Sequence, residues 1–151
     1  MQFQPGEGPE NALPFTIGKV LVQSDMRPED VRGNHAHYET EEIVVALRGG
    51  CTFDLDDGKG THETLRLTDA NWPAAEEDNP SSATVRRALL LYPHVWRVFR
   101  EFEPGTILMV VADRLYDEKD YIRDRLVFER EAGGWRGLGG SAERGDDERR
   151  A

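Results

Sequence analysis

His35 and His37 stand two residues apart in Arg32-Gly33-Asn34-His35-Ala36-His37-Tyr38, a carboxylate follows at Glu42, and an apolar run ends at Gly49. In an extended strand, residues i and i+2 share a face, so the two imidazoles point the same way. Such a pair can move protons, because a histidine pKa of about 6.5 allows both uptake and release near neutrality. With Glu42 it can instead form a set of two nitrogens and one oxygen suited to divalent Fe, Mn, Ni or Zn. The plain alternative is two solvated histidines on a strand.

The elements around this pair read as short strands. Phe15 to Gln23, Glu42 to Leu47 and Ala88 to Tyr92 are apolar or alternating runs. Cys51 to Leu55 and Thr61 to Leu67 alternate by twos around Asp57-Gly58-Lys59-Gly60, a hairpin signal. Val95 to Phe102 and Thr106 to Ala112 flank Glu103-Pro104-Gly105 and are expected to form a second hairpin. Residues 69–87 are expected to be a long surface loop. Many short strands with regular turns predict a β-sandwich or barrel. After Ala112 the pattern changes, and Tyr116 to Asp124 is expected to begin a short helix, with Asp117 as N-cap and Tyr121, Ile122 and Leu126 facing the core.

The chain has 151 residues and a formal net charge of −10. One domain is expected, residues 14–136, between a loose arm (1–13) and a disordered tail (137–151). The acidic balance argues against nucleic-acid binding. No apolar run is long enough to span a bilayer, and no signal peptide is visible. The single cysteine, Cys51, fits a reducing cytoplasm.

His35-x-His37-x4-Glu42-x6-Gly49 resembles the first motif of the cupin superfamily, small jelly-roll β-barrels. Metal cupins take a further histidine from a later strand. Here that region reads Tyr92-Pro93-His94-Val95-Trp96-Arg97-Val98, and the expected position falls near Arg97 or Val98. A cation there would repel a metal.

Within that superfamily the chain resembles the nucleotide-sugar 3,4-ketoisomerases, or WxcM-like proteins. The resemblance rests on Arg32-Gly33-x-His35-Ala36-His37, Leu55-Asp56-Asp57-Gly58, Pro93-x-x-Trp96-Arg97 and Tyr116-Asp117-Glu118-x-Asp120-Tyr121-Ile122-Arg123-Asp124. It implies an all-β cupin with a short C-terminal helix, a cytoplasmic homodimer without cofactor, acting on a dTDP-4-keto-6-deoxyhexose. It also implies His35 and His37 as the acid/base pair, His37 first as base, with Arg32 orienting the site or stabilising an oxyanion. Trp96, Arg97, Tyr116 and Arg123 become candidates for substrate binding. Relatives commonly carry tyrosines on the strand before Arg-Gly; Val20-Leu21-Val22-Gln23-Ser24-Asp25 has none. The competing expectations are a metal-dependent cupin built on His35, His37 and Glu42, and a sugar-nucleotide binding module without activity.

Overall fold

The computed structural model describes residues 13–69 and 84–135. The expected arm up to residue 12, the tail from 137, and residues 70–83 of the expected loop lie outside the described residues.

Short alternating segments punctuated by Gly, Asp and Pro fold into two sheets. Strands β1 (Lys19–Gln23), β3 (Glu42–Arg48), β7 (Ala88–Leu91) and β9 (Ile107–Ala112) make a four-stranded sheet in the order β1-β9-β3-β7. Strands β2 (Arg32–His37), β4 (Gly50–Asp56), β5 (His62–Thr68), β6 (Thr84–Arg86), β8 (Trp96–Arg100) and β10 (Tyr121–Ile122) make a six-stranded sheet in the order β10-β2-β8-β4-β5-β6. One short helix, α1 (Arg125–Ala132), follows. The molecule is therefore an all-β sandwich with a C-terminal helix. Among the described residues no helix is long and apolar enough to cross a membrane.

Period-two alternation sends one set of side chains inward from each sheet. Val44, Leu108 and Val110 meet Phe53, Leu67 and Phe99 in the main core, each such side chain stabilising the fold by about 1.5–3 kcal/mol. Cys51 belongs to this core; burial pushes its thiol up to about 12, so it serves as a small apolar filler. A second cluster lies on the outer face of the six-stranded sheet, where α1 covers Ala36, Trp96 and Ile122 with Phe128.

Three expectations need correction. The segments around Glu103-Pro104-Gly105 are not a hairpin: β8 pairs with β2 and β4, whereas β9 pairs with β1 and β3. That turn carries the chain from one sheet to the other, and turn chemistry alone does not specify which sheet receives the next strand. The segment from Tyr116 is not one helix. Asp117 caps a 3-10 turn over Glu118–Asp120, Tyr121 and Ile122 then pair with β2, and Asp124 caps α1 by accepting from the Leu126 and Val127 amides. Leu126 accordingly faces solvent. Finally, residues 84–86 of the expected loop form β6, parallel to β5.

Candidate active site

The conformation of β2 sets the site. Gly33 and Asn34 both have positive φ, 80° and 53°, and the register with β8 shifts between Gly33 and His35. A Cβ on Gly33 would lie 2.6 Å from the Arg97 carbonyl oxygen, so the Arg-Gly step is what lets β2 close against β8. Beyond the bulge His35 and His37 point into the sandwich, with ring centroids 5.0 Å apart.

Each imidazole is fixed by its Nδ1. His35 Nδ1 lies 2.9 Å from the Gly33 carbonyl, which can only accept, so this nitrogen carries the proton. His37 Nδ1 lies 2.9 Å from Asp120 Oδ2 and donates to it in the same way. Asp120 is itself held from behind by the Glu39 amide on Oδ1, at 2.7 Å, and by the Thr40 hydroxyl on Oδ2. Burial alone would raise the Asp120 carboxyl; the Thr40, Glu39 and His37 donors hold it below its ordinary value. Both Nε2 atoms therefore bear lone pairs. That of His37 is buried without a hydrogen-bond partner, 3.6 Å from Glu42 Oε1.

Electrostatics keep both rings neutral. Burial, followed by the Arg97 charge, lowers His35 to about 4. Burial, Arg97 and His35 lower His37 as well, opposed by Asp120. Two histidines poised as free bases at neutral pH can accept protons from an acidified carbon.

Arg97 occupies the position opposite His35 in the β2–β8 register and is fully buried. Its Nη1 donates to Glu42 Oε2 at 2.8 Å, Nε to the Val95 carbonyl at 3.2 Å, and Nη2 to the Tyr92 carbonyl at 3.3 Å. Every nitrogen is engaged, so Arg97 buttresses the site rather than gripping a diphosphate. The same pair tests the fit of a metal. A divalent ion on Glu42 would sit beside a desolvated guanidinium, and among the described residues no three His, Cys, Asp or Glu side chains are grouped to hold one. The residues present do not fit a metal.

The other candidates separate. Trp96, adjacent to Arg97, points to the opposite face, where it packs against Phe128 and Arg125. Arg32 is exposed and paired with Asp30 at 3.2 Å, beside a cleft of about 340 Å³ that it lines with Val22, Gln23, Ser24 and Met26. The cations acting on His35 are instead Arg97, Arg123 and Lys19. Arg123 and Tyr116 stand at the rim, both bound to Glu118. Sequence reasoning missed Lys19 and the role of Asp120, 83 positions from its histidine. It also assigned Tyr121 to the core, whereas its ring lies 4.3 Å from His37 and 5.1 Å from His35.

The family described as FdtA: WxcM-like, C-terminal matches residues 6–72 and 77–133 of this sequence. A TDP-4-oxo-6-deoxy-alpha-D-glucose-3,4-oxoisomerase from Aneurinibacillus thermoaerophilus is 34% identical over 118 residues, covering 78% of this chain and 73% of that protein. The crystal structure of a TDP-fucose-3,4-ketoisomerase from Campylobacter jejuni is similar with a TM-score of 0.64 at 30% identity, over 78% of this chain and 75% of that one. A sugar 3,4-ketoisomerase from Thermoanaerobacterium thermosaccharolyticum, solved in complex with TDP, gives 0.67 at 26% identity, over 81% and 77%.

Proposed function

Since this chain belongs to the WxcM-like, C-terminal family, we propose that the site just described makes it a TDP-sugar 3,4-ketoisomerase working by histidine acid/base catalysis. The observation that carries this reading is the pair of neutral imidazoles on one face, one of them backed by a carboxylate. In a 4-keto-6-deoxyhexose the C4 carbonyl acidifies the proton at C3. His37 Nε2 takes that proton, and the imidazolium it becomes is flanked by Asp120 on Nδ1 and Glu42 beyond Nε2, charges that stabilise the protonated state. His35 sits beside it to return a proton at C4. Lys19 and Arg123, the exposed cations whose charges reach His35, are the groups at the rim to meet a diphosphate despite the overall acidic charge.

We further propose that the reaction runs without a metal; the support is the buried Arg97 cation beside Glu42. Stoichiometric metal in fully active purified protein would contradict this.

The test of the main proposal is incubation with TDP-4-keto-6-deoxyglucose in D2O, followed by NMR at C3 and C4. Deuterium at the reacting carbons and a 3-keto product are expected from the wild type, and neither from His37→Asn. A well-folded wild type giving no exchange and no product would sink the reading, and TDP binding without turnover would favour a binding module.

A homodimer is the second part of the proposal. The outer face of the four-stranded sheet presents Val20, Val22 and Leu47 exposed, beside half-buried Ile43, Val45 and Met109. A solvated sheet face is ordinarily polar, and an apolar one of this extent suits a second copy. Val22→Asp combined with Val45→Glu is expected to convert a dimer into a folded monomer on size-exclusion with light scattering. A monomeric wild type at micromolar concentration rules the dimer out.

A further inference from the structure

We propose that Tyr121 is a catalytic residue of this site, its phenol carrying the proton that must pass between the two oxygens of the reacting sugar. The inference rests on the ketoisomerase reading above. Moving a carbonyl from C4 to C3 shifts two protons, one between carbons and one between oxygens. A base removes the C3 proton; the C–H electron pair becomes the C3=C4 bond, and the C4=O π pair moves to O4. O4 then takes a proton, giving the enediol. Loss of the O3 proton lets its electron pair form C3=O, while the C3=C4 pair takes a proton at C4. Atoms and charge balance without any redox partner. Both imidazoles are committed to the carbon protons, so the oxygens need a neutral group that can donate and accept.

Tyr121 is placed for this. It stands on β10 directly opposite His37 in the register, and its ring lies against both imidazoles, with centroids 4.3 and 5.1 Å away. The Arg123 guanidinium covers it at 4.2 Å from the ring centroid, and Arg123 is in turn held by Glu118 at 2.7 Å. The ring is thus fixed between the imidazoles and the rim. Its hydroxyl feels the interior pair Glu42 and Arg97: burial first, then the Glu42 charge, raises the phenol, so it enters the cycle protonated. The nearby Thr40 hydroxyl is already committed to Asp120.

The experiment is Tyr121→Phe in the D2O assay. We expect kcat to fall about 10²- to 10³-fold, with KM within about twofold, as loss of a positioned proton carrier predicts. Deuterium should still enter C3 faster than product forms, because enolate formation does not need the phenol. Titration calorimetry with TDP should show unchanged binding. A variant turning over within about threefold of wild type, or one in which exchange and product formation fall together, overturns the proposal. If the phenylalanine variant does not fold, 3-fluorotyrosine at 121 should move the alkaline limb of the kcat profile to lower pH, and an unmoved limb overturns it. Wild-type protein inert toward this substrate would remove the ketoisomerase reading itself, an outcome separable from an active Tyr121→Phe.

Discussion

Asp120→Asn is expected to lower kcat by about 10²- to 10⁴-fold while leaving KM nearly unchanged, the range typical of disabling a positioned general base. The reason is geometric. Asp120 accepts from the Glu39 amide on one oxygen and from His37 and Thr40 on the other. An asparagine has only one oxygen, and the backbone donor at Glu39 claims it. The amide nitrogen then faces His37 Nδ1 and forces the proton onto Nε2, where it blocks the lone pair to which the proposed mechanism assigns the C3 proton. Nitrogen NMR of His37 reads that tautomer directly. A variant with unchanged kcat, or an unchanged tautomer, contradicts the assignment. The wild-type pH profile bears on the same pair. With His35 lowered to about 4, activity should hold well below the ordinary histidine value near 6.5 and fall as the pH drops through about 4. Stability carries the same sign, because the unfolded chain binds this proton first. The contribution is complete above about 6.5 and is lost as the pH falls through about 4.

Arg97→Met has the largest expected effect on stability. Arg97 and Glu42 form a buried pair, and removing one partner leaves an uncompensated charge, at a typical cost of about 3–5 kcal/mol. Arg97→Met combined with Glu42→Leu should recover most of that loss, because two apolar side chains replace the pair without stranding either charge. Denaturant titration of both variants checks this, and a single variant within about 1 kcal/mol of wild type would show the pair to be dispensable. Where Arg97→Met folds, it also lacks the cation that opposes a metal. Zinc taken up by the single variant and not by the wild type would show that one guanidinium separates two chemistries.

These two residues differ in how far the sequence announced them. Arg97 stood out because it falls near the place where a metal-binding relative would need a histidine, and the strand register then put it opposite His35. The shared face of His35 and His37 followed from period two, and the Asp57-Gly58-Lys59-Gly60 turn placed the β4–β5 hairpin. Asp120 was not legible as a histidine partner, since nothing local ties it to a residue 83 positions earlier. Trp96 entered the substrate-binding candidates because the motif makes it Arg97's neighbour, whereas the pleat sends the two to opposite faces. Tyr116 to Asp124 has helix-like capping residues, but Tyr121 and Ile122 gain more by completing the edge beside β2 than by continuing a turn.

That alternation at Trp96 and Arg97 also bears on how the chain finds its fold. A slip of one residue in β8 would place the guanidinium beneath the apolar face of α1 and the indole among the imidazoles. A charge would then be stranded on one side and Glu42 left bare on the other, so both faces reject the error together. Most strands are proofread by one core. This strand is proofread by two, because Arg97 and Trp96 each suit only the face they occupy.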